Sequence, residues 1–159
     1  MNDDDRRTVC EELKHMVKAW RAITQDKHDS YIGNFGKQPL KEVFLVSHPE
    51  LARSFQGPNA VRQFQDACGM EINTKASIMF THNDLVSPNI ILSLGQNPKA
   101  AAIIDWAQAG WYPTYWEYCK ARRVRVDPYY FDNTVQEEWF TKYLPRNLDP
   151  ADDETYYYP

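Results

Sequence analysis

Two short apolar runs with oxygen-bearing side chains at their ends constrain this chain more than any other feature. The stretch reads Phe80-Thr81-His82-Asn83-Asp84-Leu85-Val86-Ser87-Pro88-Asn89-Ile90-Ile91-Leu92, then a turn, then Ala101-Ala102-Ile103-Ile104-Asp105-Trp106. Such runs form buried strands, and buried strands fix whatever stands at their ends. Pro88 removes a backbone donor and holds Ser87 extended, so the loop between Asp84 and Asn89 is stiff and cannot continue a ladder. Gly95-Gln96-Asn97-Pro98 carries turn chemistry and folds Ile90–Leu92 back against 101–104 as a hairpin. Antiparallel neighbours lie side by side, so Asp105 returns toward the loop. The product is a carboxylate, Asp84, able to act as a base. Beside it stands an Asn89–Asp105 oxygen pair suited to magnesium, which accepts one or two carboxylates and leaves positions for phosphate oxygens.

The remainder of the chain reads as support. Its 159 residues are enough for one domain with a core. A formal net charge of −4 argues against a general electrostatic grip on nucleic acid or an anionic membrane. An aromatic content of 14% points to an aromatic core or groove. Cys10, Cys68 and Cys119 are odd in number and far apart, the pattern of buried, reduced thiols rather than a disulfide frame or zinc site. No signal peptide is read at the acidic start, and no apolar run nears the ~20 residues that span a bilayer. The expected compartment is the cytoplasm, by elimination.

Val9, Leu13, Met16, Trp20 and Ile23 share one helical face, which predicts a helix over residues 3–25, with Thr8 and Glu11 at capping-box spacing. Residues 26–57 read as a long connection that wraps one face, with a short strand or buried turn at Phe44-Leu45-Val46. His48 reads as an ordinary loop histidine. Pro58 opens a second helix with Val61, Phe64 and Cys68 inward, stopped by Gly69. A strand is expected at 77–80 and a Gly-Trp-Tyr-Pro turn after Trp106. Helices are expected over 114–123, capped by Thr114, and from Asn133 or Thr134 to Tyr143, with Val135, Trp139 and Phe140 apolar. Residues 146–159 read as a loose polar tail.

The order His82-x-Asp84-Leu85-x-x-x-Asn89, followed by Asp105, is that of a protein-kinase catalytic loop and its metal-binding Asp. Finer detail points within that superfamily. Phe80-Thr81-His82-Asn83-Asp84-Leu85, Ile103-Ile104-Asp105-Trp106, Ala109-Gly110-Trp111-Tyr112-Pro113 and Tyr115-Trp116-Glu117-Tyr118 resemble the aminoglycoside phosphotransferase family, above all its fungal branch. The resemblance is specific from about Phe80 to Arg123 and extends more weakly to Val9. It implies an α+β, mainly helical fold over 1–145, like the C-terminal lobe of the kinase-like fold, with a β-hairpin carrying the site. It implies an ATP- and Mg2+-dependent phosphotransferase acting on a small-molecule hydroxyl. Asp84 is then the catalytic base, and Asn89 and Asp105 are the magnesium ligands. His82 shapes the loop and Trp106 packs under the site. Asn83 stands where the family usually has Gly or Ala.

A nucleotide cradle is not legible. No GxGxxG occurs, and no valine-rich strand with a lysine precedes the first helix. The chain is therefore expected to lack an N-terminal lobe, to be a truncated portion, and to be weak or inactive unless a longer chain supplies that lobe. Alternative readings are a pseudoenzyme that binds a small ligand, and an interaction domain with an idle site.

Overall fold

The structure is a computed structural model; it describes residues 1–45, 48, 51–72 and 75–151. Helix α1 runs Asp3–Arg21. Its cap is Asn2, not Thr8. The Asn2 side chain accepts from the Asp5 N–H at 2.8 Å and the Asp5 carboxylate accepts from the Asn2 N–H at 3.1 Å, satisfying two of the donors a helix start leaves open. The helix stops at Arg21, four residues short of the expected end. Ile23 consequently lies outside it and is exposed, and Val17 takes the inner face with Val9, Leu13 and Trp20.

The long connection carries two short strands, β1 (Tyr31–Ile32) and β2 (Phe55–Gln56), paired with each other. Val43–Leu45 is a single 3-10 turn rather than a strand, and Val46 lies outside the described residues. Gly33 bridges to Trp111 through both backbone hydrogen bonds, 3.1 and 2.9 Å. This stitches the connection onto the strand that follows the site. Helix α2 (Ala60–Ala67) begins two residues after Pro58 and ends before Gly69, whose φ of +69° stops it.

Strand β3 (Ile78–Thr81) pairs antiparallel with β6 (Gly110–Pro113), Thr81 opposite Gly110. The sequence reads β6 as a turn because Gly and Pro bracket it. Yet all four residues are buried. Pro113 sits at the strand end, where its missing N–H costs little, and Gly110 is held within reach of the Gly33 carbonyl. Strands β4 (Ile90–Leu92) and β5 (Ala100–Ile103) form the expected hairpin, with Ile90 opposite Ile103. Helix α3 starts at Trp116 rather than Thr114 and runs to Arg123; the Thr114 N–H instead bonds the Ser77 carbonyl. Asp132, not Asn133 or Thr134, caps α4 (Asn133–Glu138), and a π-turn at Trp139–Tyr143 leads into α5 (Leu144–Asn147). Val135 is exposed, while Trp139, Phe140 and Leu144 are buried. α5 packs on α1. Asn147 and Leu148, placed in the tail by sequence, are buried there; residues 152–159 lie outside the described residues.

The core is aromatic. Phe64 meets Phe55, Tyr112 and Trp116 edge-on with centroids at 5.5, 6.4 and 5.0 Å, contacts worth about 0.5–1.5 kcal/mol each beyond area burial. None of the three cysteines is in a disulfide. Burial raises the Cys10 thiol pKa and pushes Cys68 to about 11. Among the described residues, no helix is long and apolar enough to cross a membrane.

Candidate active site

The loop from His82 to Asn89 is held from both sides. On the inner side, Glu117 of α3 is fully buried and accepts the Asn83 N–H at 2.8 Å and the His82 N–H at 3.3 Å. Burial raises the Glu117 pKa, against the opposing pull of the Arg21 charge and those two N–H groups. A carboxylate on two adjacent backbone amides sets the direction in which the chain leaves β3.

On the other side, His82 fastens the loop to the end of β5. Its Nδ1 accepts the Asp84 N–H at 3.2 Å, so the opposite nitrogen carries the proton and donates to the Ile104 carbonyl at 2.9 Å. Burial lowers the His82 pKa, which keeps that tautomer neutral. Trp106 closes over the ring edge-on at 4.4 Å and rests against Trp20 at 5.3 Å. It is 39% exposed, so it flanks His82 at the surface rather than lying under it.

Asn83 has φ +68°, a conformation that Gly adopts freely and Asn tolerates. Its side chain is committed. The amide NH2 donates to Glu42 at 2.6 Å and to the Gln108 carbonyl at 3.2 Å, and its oxygen accepts from the Trp116 indole at 2.8 Å. Lys120 completes this cluster, with Nζ 2.9 Å from both Glu42 oxygens and 2.7 Å from Gln108 Oε1. Burial depresses the Lys120 pKa and Glu42 opposes that shift. Each charge is paired and hydrogen-bonded, the condition on which buried charges persist.

The three residues expected to do chemistry stand on this frame. Asn89 Nδ2 donates to both the Asp84 carbonyl and Asp84 Oδ2 at 2.9 Å. One Asp84 oxygen is therefore anchored, and Oδ1 takes no hydrogen bond among the described residues. The same bonds fix the Asn89 amide so that its oxygen remains uncommitted. The Asn89 carbonyl accepts the Ile104 N–H at 2.9 Å, which ties the loop to the residue preceding Asp105. Asp105 is exposed and has φ +62°. One exposed carboxylate and one uncommitted amide oxygen fit magnesium, which retains waters and accepts phosphate oxygens.

Sequence reasoning missed Glu42, Gln108, Glu117 and Lys120. Glu117, set among aromatic residues of α3, could have been suspected as a buried polar group. Nothing local marks Glu42, which arrives from the long connection.

The model of the phosphotransferase enzyme family matches residues 1–154 of the chain. No curated protein and no solved structure matches it.

Proposed function

We propose, from the premise that the chain belongs to the phosphotransferase enzyme family, that it transfers a phosphoryl group from a magnesium-bound nucleotide, ATP, to the hydroxyl of a small molecule. The observation that carries this reading is the Asp84 carboxylate, anchored through one oxygen by Asn89 and with the other uncommitted. Such a group orients a hydroxyl and accepts its proton as the oxygen attacks. Asn89 Oδ1 and the Asp105 carboxylate would hold the ion, whose charge offsets that of the phosphates. His82 and Glu117 act on the reaction only by holding the loop.

The loop-and-hairpin arrangement supports a reading as the C-terminal lobe of a kinase-like fold, and the aromatic run from Trp111 to Tyr118 supports a place in the fungal branch. Ile91, Ile104 and Trp106 are exposed on the hairpin and beside Asp105. Apolar groups in that position suit a covering lobe that closes on the nucleotide, supplied by a longer chain or a partner. Phosphoryl transfer depends on positioning and electrostatics, so the isolated chain is slow.

Calorimetric titration with Mg-ADP tests the nucleotide side. Wild type and Asp84→Asn should both bind, and Asp105→Ala should lose about tenfold or more of the affinity, as expected on removing a charged ligand. Absence of heat with the wild type, or equal binding by Asp105→Ala, would refute the metal assignment.

A further inference from the structure

A groove of about 390 Å³ lies away from the loop, between α1 and α5. Arg7, Lys14, Lys18 and Arg21 follow one stripe of α1, and Arg146 and Asn147 of α5 line the same groove. Glu11 and Asp149 are the acidic residues that line it. Five cations against two anions is a local reversal in a chain whose net charge is −4.

Apart from Arg21, whose charge also acts on the buried Glu117 carboxyl, the cations are poorly compensated. Lys14 and Lys18 make no ion pair among the described residues, and Arg7 has only an exposed 3.5 Å contact with Asp4. Arg21 donates through Nη2 to the Thr114 carbonyl at 3.3 Å, while its buried Nε has no acceptor. Like charges at i,i+4 on a helix, as at Lys14 and Lys18, oppose folding. A bound anion would relieve that repulsion. Lys14 and Lys18 are about 6 Å apart along the axis, and Lys14 and Arg21 about 10 Å. A short phosphate chain has that span, and a two-walled groove suits a small ligand.

We propose that this groove binds a small soluble polyanion of the oligophosphate class. None of the candidate active-site residues lines it, so it is a site separate from the phosphoryl-transfer loop.

Inorganic tripolyphosphate is the probe, titrated calorimetrically into the full chain without magnesium at low salt. One site should be seen, weakening as salt is raised. A Lys14→Glu/Lys18→Glu double variant should bind at least about tenfold more weakly, since each charge-assisted contact is worth more than a neutral one. Arg146→Glu, on the opposite wall, should do the same and serves if the double variant does not fold. Asp105→Ala should bind as the wild type does. Absence of binding, binding indifferent to the charge reversals, or loss in Asp105→Ala would each overturn the proposal. None of these results bears on whether Asp84 serves phosphoryl transfer.

Discussion

Asn83 shows how a non-glycine side chain at a left-handed position can become structural. Its amide joins Glu42, Gln108 and Trp116, so Asn83→Gly would relieve backbone strain while stranding buried partners. The second effect is larger, since an unpaired buried group costs about 1–3 kcal/mol. Urea unfolding should show the variant less stable by about that amount; equal or greater stability would contradict the buried network. His82 gives a pH signature. Its folded pKa is lowered by burial, so its contribution is complete above the ordinary imidazole value of about 6.5 and is lost as pH falls below it. Glu117, with a raised pKa, acts in the opposite sense. The stability gap between wild type and His82→Gln isolates the imidazole, and it should narrow on acidification from about pH 7.5 to 5.5. Asp84, Asn89 and Asp105 were singled out in the sequence because their spacing matches that chemistry. The residues that hold them were not, because burial of Glu42 and Lys120 depends on contacts made across the fold.

Among the elements, the β4–β5 hairpin was legible because the succession of strand, Gly-Gln-Asn-Pro turn and strand is encoded locally. Strand β6 was not. Its Gly and Pro carry turn chemistry, and only pairing with β3 and the bridge to Gly33 make it a strand. Gly110 is required by space: a Cβ there would lie 2.9 Å from the Gly33 carbonyl oxygen and 3.2 Å from the Tyr112 ring. Gly110→Ala should push the long connection away from β6 and cost about 1–3 kcal/mol, the usual penalty of overpacking. Thermal unfolding reads the loss, and an unshifted midpoint would show that the bridge is dispensable. The ends of α1 and α4 differ from expectation for a related reason. Asn2 and Asp132 cap them by side-chain bonds that compete with equally plausible neighbours.

At the scale of the whole molecule, the domain is a mixed α and β body in which a long connection and a buried helix converge on one loop. The connection supplies Glu42 and α3 supplies Glu117 and Lys120, so two remote segments hold the catalytic candidate in place. The central claim is that this body presents Asp84 for phosphoryl transfer to a hydroxyl. A radiolabel transfer assay from Mg-ATP to a panel of small alcohols tests it most directly, comparing wild type with Asp84→Asn, which keeps the shape and removes the base. A slow wild-type transfer that falls by about 10²–10⁴ in the variant is the expected result. Transfer at the same rate by both proteins, or none by the wild type, would contradict the account.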